Sequence, residues 1–419
     1  MIVTSEFSEV IGGNMAVDEI VRLKFGESFK DSSTGREIIQ VTDETTFPEG
    51  VSLGYFRLNR HLPDGRILAR GIHKKGKVVL VDMDNGYIEL MPYSFSPLKL
   101  TPKGRAWYLD GNGGTTLWHI DLPDGEPVRV GDIPKKLQDG IEDITCDGKK
   151  LVVSQIVDDT ETHPPPRVKD PKVMERYFTR RRHGSIWVYD IETRASTKVY
   201  EVNGESDHSL SLVTRYRRPS HIETSPINPG LIRFCLDNPE SLSQRIWAVN
   251  TDGSGLRKIR PQDEGEVTTH EFWWANPDLV GYTFQDRRND PTYRTHPWAE
   301  YALAETRLGI ARADNGEEVY LSNPLNSYHE HMFCSPDGKL VYGKGGVDNP
   351  FYYVARFTMD DPNVNMVPLA SINCGDWTPF RGRGSSCDFS HDNKWLLFTN
   401  SVNGNHKGPR QLYAVKVNL

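Results

Sequence analysis

The stretch SPDGKLVYG (335–343), followed by YYVARFTMDD (352–361), decides the fold. In the first segment Pro336 presets a turn dihedral and Asp337 and Gly338 complete the turn, after which an apolar strand begins at once. The second is a short alternating strand that ends in acidic turn residues. Together they spell strand, tight turn, strand, loop, strand, turn.

Both segments recur on either side. The turn segment returns as LPDGRILA from Leu62, TPKGRAWYL from Thr101, TCDGKKLVVS from Thr145, SPINPGLIRFCL from Ser225, WANPDLVGYTF from Trp274 and SHDNKWLLFTN from Ser390. The alternating strand returns as VVLVDMDNG (78–86), LWHIDLPDG (117–125), IWVYDIETR (186–194), IWAVNTDGSG (246–255), RLGIARADNG (307–316) and LYAVKVNL (412–419). Seven four-stranded units in series predict an all-β fold, a seven-bladed β-propeller over residues 31–419. The last unit supplies only three strands. The segment DSSTGREIIQVTD (31–43) reads as the missing turn and outer strand, so an N-terminal strand is expected to close the propeller and remove an open sheet edge. Residues 1–30 are expected as an N-terminal arm or short helix. An insertion at about 157–183, with three consecutive prolines and then Arg180, Arg181, Arg182 and His183, reads either as a solvated loop or as a lid.

Bulk composition narrows the function. The chain has 419 residues, 26% of them charged, and a net charge of -7, which suggests neither a nucleic-acid surface nor a basic membrane patch. Its longest apolar runs fall short of a membrane span, and the first residues lack the pattern of a secretory signal. The five cysteines are odd in number and show no CxxC pairing, so neither a disulfide framework nor a structural zinc site is expected. A cytoplasmic setting fits these features, or a periplasmic one if the N-terminus is processed.

One register position stands out. Four residues before each turn lie Leu58, Pro97 and Ile141, then His221, His270 and His331, and finally Ser386. Three successive units thus place a histidine near the start of the innermost strand, where the residues would face the central channel. Histidine there suits metal ligation or proton abstraction near neutral pH. Near this rim stand Glu271, Tyr328, His329, Arg217, Arg218, Arg245, Arg381 and Arg383. Arginine holds a carboxylate bidentately and keeps its charge, so an acidic ligand is expected, with Arg217, Tyr328, Arg381 and Arg383 as its contacts. Trp273 and Trp274 offer either a sugar platform or packing between blades.

The segments SHIETSPINPGLIRFCLDN, QRIWAVNTDGSGLRKI and THEFWW, the His-x3-SPDG turn and the closing LLFTNS and QLYAV strands resemble the oligogalacturonate lyases. The resemblance runs over roughly residues 50–419 and is densest from His221 onward. It implies a seven-bladed propeller that cleaves short galacturonides by β-elimination and uses manganese. It further implies His221 as the base, Arg245 as an arginine of the substrate cleft and His270 as a metal ligand, and it matches His331 to a family histidine. The last unit departs from the family, which carries a glutamine and a His-x-His pair there. This chain reads FRGRGSSCDFS, with Arg381 near the glutamine and Gly384 and Ser386 at the histidines. Two arrangements remain open. In one, a divalent metal is held by a rearranged set drawn from His221, His270, His329 and His331. In the other, Arg381 and Arg383 neutralise the uronate without metal. The expected function is a uronate lyase acting on an acidic oligosaccharide, in the manner of an oligogalacturonate lyase. The alternatives are a lyase for another uronate, such as rhamnose-linked glucuronate, and a non-catalytic propeller that binds an acidic sugar.

Overall fold

The repeated turns carry one hydrogen-bonding scheme. The hydroxyls of Thr145, Ser335 and Ser390 donate to Asp147, Asp337 and Asp392 at 2.6–2.7 Å. Each aspartate also accepts the backbone N–H of the lysine two residues on, at 3.0–3.2 Å. Between them Gly148 and Gly338 take φ of 71°, a left-handed conformation that glycine adopts without a steric cost. Such turns join strands with a fixed register, so each unit folds on itself as an antiparallel meander.

The computed structural model describes residues 20–54, 59–71, 76–110, 115–157, 183–202, 219–236, 244–263, 265–289, 305–327, 329–345, 349–372, 386–401 and 409–419. These form seven antiparallel sheets, five of four strands and two of five. They are the seven blades of the expected propeller. The described residues contain no α-helix, and so none long and apolar enough to cross a membrane.

The chain divides into two compact units. The first comprises Met1–Pro134, Phe333–Thr358 and Asn365–Leu419. Its last blade pairs Cys387–Phe389, Trp395–Ser401 and Arg410–Lys416 in order, and Arg410–Lys416 then pairs with Glu37–Gln40. The N-terminal strand therefore supplies the outer strand of the last blade, as expected. Its turn is pinned by Asp31, whose carboxylate accepts the N–H of Ser33 and Thr34 and both the N–H and the hydroxyl of Ser371. Instead of an arm or short helix, the described part of the first 30 residues holds strands. Val21–Lys24 pairs with Tyr87–Leu90, and Ser28–Lys30 pairs with Glu37–Gln40, which makes the two five-stranded sheets. The alternation of Val21, Arg22, Leu23 and Lys24 suits an outer strand with one wet face.

The second unit comprises Lys135–Met332 and Met359–Val364 and contains three complete blades. Their inner strands are Ile141–Ile144, Pro219–Thr224 and Glu266–Trp273, and the strand His329–Cys334 of the next blade begins here. One of its cores packs Val152, Ile186, Val188, Ile222, Ile232, Phe234 and Trp247 between neighbouring blades. Another packs Ile246, Ile259, Trp273, Val280 and Tyr282. Burying side chains of this size stabilises by roughly 1.5–3 kcal/mol each, which holds the inner strands in place. The insertion at about 157–183 lies almost wholly outside the described residues.

Candidate active site

The second unit brings the three register-matched histidines together with a buried set of charges. His221, His270 and His331 have φ of 48°, 52° and 47°, and all are left-handed. In an ordinary strand such a conformation costs on the order of 1–2 kcal/mol for a residue with a Cβ. Its cause is local. Pairing of Pro219–Thr224 with Leu231–Leu236 slips between Ser220 and Glu223, and pairing of Glu266–Trp273 with Leu279–Asp286 slips between Thr269 and Phe272. Each slip is a bulge that brackets a histidine and re-aims its side chain. As a result the three histidines are half-buried while the residues after them, Ile222, Glu271 and Met332, turn inward to 3%, 0% and 0% exposure.

Glu271 thus occupies a slot that is apolar in the flanking blades. Its Oε1 lies 2.9 Å from His221 Nδ1, and its Oε2 accepts from Arg245 Nε at 3.2 Å. Arg233 approaches Oε1 at 3.4 Å and also pairs with Glu223. Burial alone would raise the Glu271 carboxyl, but Arg245, then His221 and Arg233, hold it well below the usual carboxylate range. Arg233 is fully buried and Arg245 is 3% exposed. Two guanidinium groups balance two carboxylates, so the cluster is neutral before His221 is counted.

Arg233, Glu223 and Cys235 were not singled out from the sequence. The available signal was a lone arginine inside the apolar run LIRFCL, which has to find a buried partner. The other expected residues fall into place as follows. Arg245 is buried against Glu271 and does not line an open cleft. His270 and His331 stand side by side, with ring centroids 4.5 Å apart and planes at 49°. His329 is fully buried, with its Nε2 3.0 Å from the Ser327 hydroxyl, and burial lowers its pKa to about 3, so the ring stays neutral. Trp273 and Trp274 are both buried, the first 5.6 Å from the Arg233 guanidinium and the second against Phe272. They pack rather than form a platform. Arg217, Tyr328, Arg381 and Arg383 lie outside the described residues.

Two sets of donors bear on a metal. Ligand atoms of His221, Cys235 and Glu271 all lie within 4.8 Å of one another. That set does not fit a cation. Both Glu271 oxygens are already engaged, and two guanidinium groups flank it. Burial, with the Glu271 charge beside it, pushes the Cys235 thiol well above its usual value, whereas a metal needs the thiolate. The His270–His331 pair does fit: two partly exposed imidazoles stand side by side, and imidazole nitrogen is a common metal donor.

Residues 98–290 match the family model described as oligogalacturonate lyase. An oligogalacturonate lyase of Dickeya dadantii is 31% identical over 268 residues, covering 59% of this chain and 58% of that protein. An oligogalacturonide lyase of Pectobacterium atrosepticum is 26% identical over 211 residues, covering 46% and 48%. The matched region thus spans about half the length of these curated relatives. Among solved structures, an oligogalacturonate lyase in complex with manganese superposes with a TM-score of 0.66 at 21% identity, covering 95% and 97% of the two chains. An oligogalacturonate lyase from Vibrio parahaemolyticus gives 0.67 at 19% identity, covering 95% and 98%. At these identities the structural likeness is one of fold. The chain is a seven-bladed β-propeller similar to the oligogalacturonate lyases.

Proposed function

We propose that the protein is a carbon–oxygen lyase that cleaves short uronate oligosaccharides, oligogalacturonides first, by β-elimination with His221 as the base. The observation that carries this reading is His221 itself: a half-exposed imidazole set on a bulge and backed by a buried, charged carboxylate. Elimination takes the proton at C5 of the uronate onto the imidazole. The C5–H electron pair becomes the C4–C5 double bond, and the C4–O4 bond breaks with its electrons on the leaving oxygen, which takes up a proton. Transfer to a well-placed base is worth roughly 10²–10⁴-fold.

Charge building up beside the uronate carboxylate has to be neutralised. Arg233 and Arg245 are buried on Glu271 and serve the base instead of the substrate. His270 and His331 would hold a divalent ion, manganese in the solved relative, and such an ion would neutralise that carboxylate. Arg217, Tyr328, Arg381 and Arg383 are the substrate contacts of this proposal. No disulfide joins the described cysteines, in keeping with a cytoplasmic setting.

The test is an assay of the full chain on short oligogalacturonides, with and without added manganese, following the ultraviolet absorbance of an unsaturated uronate. Absorbance should rise, fall at least ~100-fold in His221→Ala, and fall on chelation. His270→Ala should lose the divalent ion by elemental analysis. No product from galacturonate, glucuronate or rhamnose-linked glucuronate oligomers would overturn the proposal, and a stable unaltered complex would mark a binding propeller.

A further inference from the structure

We propose that Glu271 is the positioning residue of this site. Its carboxylate takes the Nδ1 proton of His221, so that Nε2 carries the lone pair, while Arg233 and Arg245 hold the carboxylate in place. The inference rests on the reading of His221 as the base.

Register supplies the first argument. The residues that follow the left-handed histidines in the flanking blades are Ile222 and Met332, both buried and apolar. A glutamate in that slot breaks the packing rule of the repeat. It is tolerated only because two arginines and a histidine surround it. A local departure of this kind, compensated at some cost, is the mark of a functional position. Packing alone would be met by an aliphatic side chain.

Hydrogen-bond chemistry supplies the second. An ionised carboxylate only accepts. With Arg245 on one oxygen and Arg233 beside the other, the contact at 2.9 Å from Oε1 to His221 Nδ1 has to be Nδ1–H donating. In a neutral imidazole the other nitrogen, Nε2, is then the unprotonated one. His221 keeps 28% of its side chain accessible, while Glu271 is wholly buried.

The two arginines therefore act through Glu271. A guanidinium cannot give up a proton, so it is Glu271 that accepts from all three neighbours. Replacing it with an amide makes one oxygen position a donor. Arg233 and Arg245 cannot adapt to that, but the imidazole can, by moving its proton to Nε2. The reactive nitrogen would then be capped.

The experiment is ¹⁵N NMR of the histidine-labelled full chain at a pH well above the ordinary histidine range. The His221 signals are assigned with His221→Asn. The wild type should show a protonated Nδ1 and an unprotonated Nε2, and Glu271→Gln should show the reverse. On whichever uronate the protein cleaves, Glu271→Gln should lower kcat by ~10²–10⁴-fold with KM changed less than about threefold, as expected when a base is held in the wrong tautomer. Glu271→Asp, which keeps the charge, should keep the Nδ1–H tautomer and restore part of kcat. A wild-type His221 protonated on Nε2 would overturn the proposal whether or not the amide variant folds. So would a Glu271→Gln variant that is folded and fully active. The tautomer is read without substrate, so failure of every uronate with Nδ1–H intact would sink the lyase reading and leave the positioning of His221 standing.

Discussion

Each unit holds a buried carboxylate charged by arginine. Glu271 is an example in the second unit and Asp388 an example in the first. Asp388 is 1% exposed, accepts from Arg60 Nη1 at 3.0 Å and lies 3.3 Å from His61 Nε2. Burial would raise its pKa, but His61 and Arg60 bring it below the usual carboxylate value of 3.8. Because the folded value is depressed, its stabilisation is present at pH above that usual value and is lost as the pH falls through the folded one. Asp388→Asn leaves Arg60 buried against a neutral partner. It should cost roughly 3–5 kcal/mol at neutral pH, and the gap to wild type should narrow in acid. Denaturant unfolding of both proteins across pH checks this, and a gap that stays constant would mean that Asp388 is not charged in the fold. Neither carboxylate announced its partner in the sequence. Asp388 and Arg60 are separated by most of the chain, and Glu271 read only as one polar residue near a rim. A buried charge has no periodicity, so only the fold reveals which cation meets it.

The inner strands carry the element-scale lesson. Their turns were legible because proline, aspartate and glycine act locally, and the histidine row was legible because those turns set a common origin for counting. The bulges were not, since a one-residue slip leaves the alternation of so short a strand almost unchanged. Strands in the first 30 residues were missed for a similar reason: VRLK and SFK are short, charged and half-exposed, which is what an outer strand and a solvated arm have in common. The left-handed backbone makes its own prediction. At an ordinary strand position glycine is less stable than alanine by roughly 0.5–1 kcal/mol. At His331, with φ of 47°, the order should invert, so that His331→Gly is more stable than His331→Ala by about 1 kcal/mol. Thermal unfolding of the two variants decides it, and alanine equal to or above glycine would argue that this backbone is not held left-handed.

At the scale of the whole molecule, a propeller built from sequential meanders has one weak seam, where the last blade must find a strand from far away in the chain. The chain meets this need with Glu37–Gln40, which pairs Ile38 with Val415, Ile39 with Ala414 and Gln40 with Tyr413. Ile38 is 2% exposed in a core shared with Leu369, Ala370, Tyr413 and Val415, so the strand is held by burial as well as by its ladder. The added strand outside it, Ser28–Lys30, is more exposed, and its Phe29, 48% exposed, makes an edge-on contact with Tyr413 at 6.0 Å. If closure depends on the inner of these two strands, the two apolar side chains should differ sharply in worth. Ile38→Ala should cost roughly 2–5 kcal/mol and expose the edge of Arg410–Lys416, raising light scattering on heating. Phe29→Ala should stay within about 1 kcal/mol of wild type and remain clear, since exposed positions contribute little. Equal losses from both would place the latch in the pair of N-terminal strands together. No loss from Ile38→Ala would show that the remaining three strands of the last blade hold the propeller closed without it.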